Sequence, residues 1–95
     1  MKLIAWDLEK NEKLKRERRI SFEEIVEDIA AGRIVDRVSH PNQKKYPGQR
    51  IYIIDHVGYC YLVPFVETKD TIFLKTIIPS RKKTKEYLKG RTKNE

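Results

Sequence analysis

The chain has 95 residues, of which 39% are hydrophobic and 37% charged, and its formal net charge is +7 at pH 7. This length supports one domain with a modest core and excludes a separate catalytic domain. We therefore treat residues 1–95 as a single domain in which residues from about 89 to 95 form a flexible basic tail. The excess of Lys and Arg favours an acidic partner, either nucleic acid or an acidic protein.

The content of cysteine and histidine argues against a metal site. Cys60 is the only cysteine, so we expect no intramolecular disulfide and no cysteine-based metal site. The two histidines, His40 and His56, lie far apart in the sequence, and we expect no zinc and no cofactor. No apolar run approaches the length of a membrane span, so we expect a soluble, cytoplasmic protein that makes no membrane contact.

The N-terminal quarter predicts a short strand and an exposed helix. The apolar run from Lys2 to Trp6 predicts an edge strand, and Asp7 is suited to cap a helix that follows it. Residues 9–19 are strongly charged, and only Leu8 and Leu14 are available to anchor them. The helix is therefore expected to be largely exposed.

The second helix has the clearest signal in the sequence. Ser21 and Glu24 form a capping box, and Ile20 and Ile25 occupy the positions of a hydrophobic staple. Gly32 is suited to end the helix. Apolar residues with helical spacing form one stripe, made of Phe22, Ile25, Val26, Ile29 and Ala30. This segment is predicted to be a core element.

Short β-rich segments separated by turn residues follow the second helix. The strands are predicted at residues 34–38, 50–57, 59–66 and 71–78, with a loop at 40–48. A four-residue turn at 67–70 would pair Val66 with Thr71, and Pro64 predicts a bulge because proline cannot donate to a central ladder. The order of elements predicts an α+β fold. An antiparallel three- to four-stranded sheet is packed by two N-terminal helices, with a basic C-terminal helix.

The predicted C-terminal helix begins with an unusual concentration of positive charge. Pro79 interrupts the last strand and Ser80 is a suitable N-cap. Arg81, Lys82 and Lys83 then occupy the first turn, where the helix dipole disfavours cations. Cations and free N–H groups at one place favour a bound anion such as phosphate. The alternative is a solvated basic helix that only aids solubility.

Several short motifs, each weak alone, lie along nearly the whole chain: Trp6-Asp7, Lys10-Asn11, Ile20-Ser21-Phe22-Glu23-Glu24, a strand led by Arg50, a turn at Gly58, Ile77-Ile78-Pro79-Ser80-Arg81 and Glu86-Tyr87. In this order they resemble the BrnT family of toxins from bacterial toxin–antitoxin pairs, whose fold is like that of the RelE ribonucleases. The sequence departs from the family where Leu14 and Glu17-Arg18-Arg19 replace the usual Asn and Lys-His-Gly. It departs again where Ile78-Pro79-Ser80-Arg81 replaces the usual Ile-Ser-Ala-Arg.

The resemblance implies an endoribonuclease toxin that cleaves mRNA without a metal. It also implies two partners, RNA and a cognate antitoxin protein encoded next to it. The oligomeric state is not predicted.

Metal-free RNA cleavage needs a base for the 2′-OH, an acid for the leaving 5′ oxygen, and cations for the charge on the phosphate. We expect Arg50, Lys75 and Arg81 to meet and to supply the cations. For the acid and the base the candidates are His40, His56, Glu86 and Tyr87. The predicted catalytic residues are Arg81, Arg50, Lys75, His40 and Glu86.

Exposed rings and basic side chains are the usual means of holding single-stranded RNA. Trp6 and Tyr87 are the best candidates for stacking on bases. The predicted RNA-binding residues are Trp6, Lys10, Ser80, Lys82, Lys83 and Tyr87.

Two other functions fit the same basic composition. One is a non-catalytic module that binds nucleic acid or protein on the same scaffold. The other is an interaction protein whose basic C-terminal helix binds an acidic segment of an antitoxin. All three functions need the same basic face, so the placement of the side chains has to distinguish them.

Overall fold

The computed structural model describes residues 2–89, and for Lys89 the backbone only. The strands are β1 (Leu3–Trp6), β2 (Ile34–Ser39), β3 (Arg50–His56), β4 (Tyr59–Glu67), β5 (Thr71–Leu74) and β6 (Ile78–Pro79). The helices are α1 (Leu8–Arg18), α2 (Phe22–Ala30) and α3 (Arg81–Lys83), and α3 continues as a π-helical segment, Thr84–Lys89. The predicted basic tail lies outside the described residues, apart from the backbone of Lys89.

The strands form one six-stranded sheet with the order β1-β5-β4-β3-β2, and β6 pairs with β4. The α+β class and the two N-terminal helices are confirmed, and β2, β3, β4 and β5 pair antiparallel as predicted, but the sheet has six strands and not three or four. β1 joins the sheet parallel to β5, with Leu3 opposite Thr71 and Trp6 opposite Leu74. The sheet is therefore mixed. The sequence of a four-residue strand does not specify a partner so distant along the chain. β1 pairs with β5 because the edge of β5 is free to form hydrogen bonds.

The turn between β4 and β5 is tighter than predicted. The Thr68 N–H donates to the Thr71 carbonyl, and the Thr71 N–H donates to the Thr68 hydroxyl. Glu67 consequently lies opposite Ile72, and Val66 lies opposite Phe73 rather than Thr71. Glu67 is thus a strand residue and not a turn residue.

Pro64 lies in an unbroken ladder between β3 and β4, so the predicted bulge is absent there. Its carbonyl accepts a hydrogen bond from the Lys75 N–H. The N and C=O of a strand residue point to the same side, so the missing N–H of Pro64 faces away from β3 and costs that pair no bond. The irregularity in the sheet is instead in β2, between Ile34 and Asp36.

One face of the sheet, which we call the helix face, is covered by α1 and α2. The predicted capping box at Ser21 and Glu24 is present, and Ile20, Phe22 and Ile25 are buried. Asn11 joins the two helices, since its side chain donates to Glu23 and accepts from the Phe22 N–H. The sheet contributes residues of β3, β4 and β5 to this core: Tyr52, Ile54, Val63, Phe65 and Leu74.

Helix α1 is capped by Asp7, as predicted, and its C-cap Arg19 has positive φ. Leu14 is buried in the core, but Leu8 is 76% exposed. Leu8 therefore does not anchor α1, and its predicted role is wrong.

The opposite face of the sheet is partly covered by the C-terminal helix. Ser80 caps α3 by accepting from the Lys83 N–H, as the sequence predicts. The Thr84 hydroxyl accepts from the Cys60 N–H, and the Tyr87 hydroxyl donates to the Asp36 carboxylate at 2.8 Å. These bonds fix the helix across β4 and β2. No helix within residues 2–89 is long and apolar enough to cross a membrane.

Replacing Ile25 by Ala should lower the free energy of unfolding by about 2–5 kcal/mol, because Ile25 is fully buried in the core. The matched variant Ile29→Ala should cost less, since Ile29 is only partly buried at the edge of the same core. Urea unfolding measures both. Equal losses, or a loss below about 0.5 kcal/mol for Ile25→Ala, would show that α2 presents a different face.

The turn between β3 and β4 contains a residue in an unfavourable conformation. Val57 and Gly58 both have positive φ, the geometry of a type I′ turn, and Val57 is 82% exposed. Asn adopts this conformation more readily than a β-branched residue, so Val57→Asn should raise the stability by about 0.5–1 kcal/mol. Val57→Ile, which keeps the branched side chain, should give no gain in thermal unfolding. A lower stability for Val57→Asn would contradict the inference that the backbone of Val57 is strained.

Candidate nucleic-acid interface

Four charged side chains form a line across one end of the sheet, and we call them the charged row: Lys2, Glu67, Arg50 and Arg37. Lys2 precedes β1, Glu67 ends β4, and Arg50 begins β3. Arg37 on β2 lies opposite Tyr52, and Arg50 lies opposite Phe65, and both rings belong to the core under the helices. Because residues opposite each other share a face, the row lies on the helix face.

Both oxygens of the Glu67 carboxylate face a cation. Its Oε2 is 2.5 Å from Lys2 Nζ, and its Oε1 is 3.9 Å from the Arg50 guanidinium. The side chain of Arg50 is 49% exposed and that of Glu67 is 33% exposed. The group is therefore open to a ligand from solvent.

Two buried rings lie beneath the arginines of the row. Tyr52 and Phe65 stack with their centroids 3.9 Å apart and their planes 10° from parallel. The guanidinium carbon of Arg37 is 5.6 Å from the Tyr52 centroid, and that of Arg50 is 5.8 Å from the Phe65 centroid. Cation–π attraction holds both guanidinium groups near the rings. Their N–H donors are left to bind planar or tetrahedral anions.

The cations of the row lower the pKa of Glu67. The hydrogen bond from Lys2 is the largest cause, and the charges of Lys2, Arg50 and Arg37 add to it against the effect of desolvation. Glu67 is therefore ionised at neutral pH and able to accept a proton.

His40 lies at the same end of the sheet. It follows Ser39, which is opposite Arg50, and its N–H donates to the carbonyl of Gln49. The His40 Nδ1 accepts from the Asn42 N–H at 3.0 Å, and the ring packs on Tyr46 at 4.4 Å. With Nδ1 occupied as an acceptor, the neutral ring carries its proton on Nε2. The fold thus brings two predicted catalytic residues, Arg50 and His40, to one end of the sheet.

The C-terminal helix places the other predicted residues elsewhere. Its Ser80 N–H donates to the carbonyl of Cys60, whereas Arg50 lies opposite Phe65, five positions later on β4. That separation is about 16 Å along the strand, and the helix lies on the opposite face. The prediction that Arg81 lies beside Arg50 is therefore wrong. The other predicted residues of this helix, Ser80, Lys82, Lys83, Glu86 and Tyr87, lie on that opposite face as well, where the Tyr87 hydroxyl bonds Asp36 and not a member of the charged row.

Within the C-terminal helix, two of these side chains are engaged with carboxylates. Lys83 Nζ is 2.9 Å from Glu86, and this bond is the main cause that raises the pKa of Lys83. The hydrogen bond between Tyr87 and Asp36 raises the pKa of Tyr87 and lowers that of Asp36. The pair of Lys83 and Glu86 lies within the helix, and the bond from Tyr87 to Asp36 on β2 fixes the helix on the sheet.

Lys75 and Lys10 both line a separate open cleft of about 880 Å³, which we call the α1 cleft. It forms where β1 and β5, which run parallel, both end, so that α1 and Lys75 leave the sheet side by side. Its lining comprises Asp7, Leu8, Glu9, Lys10, Glu12, Lys13, Arg16, Phe73 and Lys75. Trp6, which precedes the cleft, is half-buried and stacks on Phe22 with a centroid separation of 5.6 Å.

His56, an alternative acid or base, is engaged in a structural contact. Its Nδ1 donates to the buried Asp28 carboxylate at 2.6 Å, and its Nε2 is 3.9 Å from Glu24. Arg33 lies 3.7 Å from the same aspartate. These contacts tie α2 to the β3–β4 hairpin. Within residues 2–89, no group of three or more His, Cys, Asp or Glu side chains is placed to hold a metal ion.

The sequence analysis did not predict three members of the charged row: Lys2, Arg37 and Glu67. Each stands alone in sequence, and only the pairing of β1, β2 and β4 brings them together. The available signal was the alternation in β4, where Glu67 continues the core-facing series of Val63 and Phe65. Comparisons with protein-family models, with curated proteins and with solved structures found no match.

Removing Lys2 should raise the pKa of Glu67 toward its ordinary value of 4.5, because the Lys2 hydrogen bond is the largest cause of its lowering. A carboxyl whose pKa is lower in the folded chain stabilises folding above the unfolded pKa, and this contribution is lost as the pH falls through the folded pKa. An NMR titration of the side-chain carboxyl in Lys2→Met measures the change. Lys69→Met, in the turn after β4, is the control. An unchanged midpoint in Lys2→Met would contradict the ion pair.

Proposed function

We propose that the chain is an endoribonuclease toxin that cleaves mRNA without a metal and is neutralised by a cognate antitoxin, as its resemblance to BrnT toxins implies. The observation that carries the proposal is the charged row. There, a carboxylate 2.5 Å from one cation and 3.9 Å from another lies on an exposed part of the sheet. A base and several cations within reach of one phosphate are what metal-free RNA cleavage requires.

The residues of the row divide the chemistry between them. Glu67 takes the proton of the ribose 2′-OH as the 2′ oxygen bonds to the adjacent phosphorus. Arg50, Arg37 and Lys2 stabilise the negative charge that develops on the phosphoryl oxygens. The bond from phosphorus to the 5′ oxygen breaks, and His40 in its imidazolium form supplies the Nε2 proton to that leaving oxygen, which returns the ring to its neutral state. The products are a 2′,3′-cyclic phosphate and a free 5′-OH.

The lowered pKa of Glu67 makes it a weak base in the free protein. A bound phosphate competes with Glu67 for the same cations, and both Lys2 and Arg50 then share their charge with the substrate. Loss of these contacts raises the basicity of a carboxylate. Substrate binding thus strengthens the base where it is needed.

The catalytic assignment is tested on a labelled RNA with EDTA present. Arg50→Ala and Glu67→Gln should each reduce cleavage by on the order of 10²–10³, the size seen on removing one donor to a transition state. Arg50→Lys should recover only part of the loss, since a point charge lacks the planar fork of Arg. Arg19→Asn removes one positive charge from an exposed residue with positive φ, where Asn is well tolerated, and serves as the control.

The outcomes separate the possible assignments. Full cleavage by a folded Glu67→Gln protein would remove Glu67 from the mechanism. Loss of cleavage in Arg81→Ala with retention in Arg50→Ala would move the active site to the C-terminal helix. RNA binding without cleavage by the wild type would favour the non-catalytic module. The toxin role is tested by growth arrest on induction, which co-expression of the neighbouring antitoxin should relieve.

A further inference from the structure

The α1 cleft is not used by the proposed chemistry, yet its walls carry several cations. Lys10, Lys13 and Arg16 come from α1, and Lys75 follows β5 on the facing side. Among residues 2–89, none of these four side chains has a carboxylate oxygen within 4.0 Å of its nitrogen atoms. They are therefore available to a ligand from solvent.

The acidic residues of the cleft are in part already engaged. The Glu12 carboxylate is 3.1 Å from Lys15, and the Asp7 carboxylate accepts the Lys10 N–H in the helix cap. Glu9 is in the first turn of α1, where a negative charge interacts with the helix dipole. Among residues 2–89, the cleft therefore combines four cations that have no carboxylate within 4.0 Å with two carboxylates, Asp7 and Glu12, that are already engaged.

The cations on α1 are evenly spaced. Lys10, Lys13 and Arg16 are three residues apart, so they follow one side of the helix with about 4.5 Å of rise between neighbours. A ligand with regularly spaced negative charges, such as a sugar–phosphate backbone, matches such a stripe.

Apolar groups lie between these cations. Leu8 is 76% exposed, and Phe73 is half-buried with the Lys75 ammonium 5.3 Å from its ring centroid. Single-stranded nucleic acid combines charges with flat rings that pack on such side chains. Every nucleotide carries both a charge and a flat ring, whereas an acidic side chain carries a charge without a ring, so the observations favour nucleic acid.

We infer that the α1 cleft binds a single-stranded RNA segment, with phosphates on Lys10, Lys13, Arg16 and Lys75 and a base against Phe73 and Leu8. This role rests on the proposed function, since the strand held here is the one cut at the charged row. The cleft and the part of the charged row formed by Lys2 and Glu67 lie at opposite ends of β1, because Lys2 precedes this strand and Asp7 follows it. The separation is about 16 Å, so the substrate is a strand of several nucleotides.

The test uses a labelled 2′-O-methyl oligonucleotide of twelve residues, which the protein cannot cleave because its 2′ oxygens carry no proton. Affinity is measured by fluorescence anisotropy over a range of salt concentrations. Each phosphate contact with a single strand contributes about 0.7 to the slope of log affinity against log salt. The double variant Lys10→Gln/Lys13→Gln should therefore flatten the slope by about 1.4.

The matched control is Lys85→Gln/Arg19→Asn, which removes the same charge from two exposed residues that do not line the cleft. Its slope should equal that of the wild type. Gln keeps the helix propensity of Lys, and circular dichroism verifies that both variants fold. Equal flattening by the two variants, or no change in either, would overturn the cleft as a binding site.

Two further measurements complete the test. Amide chemical shifts on addition of the oligonucleotide should change at residues 8–16 and 73–75, and changes confined to other regions would overturn the assignment. An acidic peptide of equal charge should bind more weakly than the oligonucleotide. Tighter binding of the peptide, weakened in Lys10→Gln/Lys13→Gln, would assign the cleft to an acidic protein instead.

The uncleavable strand keeps this result separate from the proposed function. If the wild type binds it through α1 but cleaves no RNA, the ribonuclease proposal fails and the binding site remains. If the wild type cleaves RNA and the slope is unchanged in Lys10→Gln/Lys13→Gln, only the binding site fails.

Discussion

The parallel pairing of β1 with β5 determines where both candidate sites form. It places Lys2 within 2.5 Å of Glu67 at one end of β1. It also brings Trp6 opposite Leu74 at the other end, so that α1 and Lys75 leave the sheet together. Without this pairing, Glu67 would lose its closest cation and the α1 cleft would lose one wall. A four-residue strand thus positions the parts of two separate basic surfaces.

The charged row combines an ionised carboxylate with an open surface. The stacked rings of Tyr52 and Phe65 are almost fully buried and belong to the core, whereas the guanidinium groups near them are exposed. The hydrophobic effect keeps the two rings packed in the core, and cation–π attraction holds the arginines near the rings. The arginines therefore need no set of carboxylates to position them, and their charge is not neutralised. Glu67 is the one carboxylate that ion-pairs with members of this group among the described residues. The row therefore keeps the excess positive charge that a phosphate ligand needs.

Much of the helical structure could be predicted because its signals are local. The capping box at Ser21 and Glu24, the Asp7 cap and the Ser80 cap all depend on residues within one helical turn, and all are present. Leu8 was misjudged because an apolar residue beside a cap has no sequence mark of the face it occupies.

The candidate site was less predictable because its members come from different strands. A turn of four residues at 67–70 placed Glu67 outside the sheet, whereas the two threonine bonds between Thr68 and Thr71 leave it on β4. The expected meeting of Arg50 with Arg81 failed for a related reason. β6 pairs with the first half of β4, which carries the start of α3 to the far end of that strand. The register of the whole sheet determines both the place of Glu67 on β4 and the separation of Arg50 from Arg81. The periodicity within one strand does not specify that register.

The contact between Lys2 and Glu67 spans 65 positions of the chain, and this has a consequence for protein synthesis. Chains emerge from the ribosome with the N-terminus first, at about 5–20 residues per second. Lys2 is made almost at the start, but β5, the strand on which β1 docks, ends only at Leu74. For the several seconds between these events, the nascent chain has no charged row. The charged row is therefore completed only after most of the chain has been made.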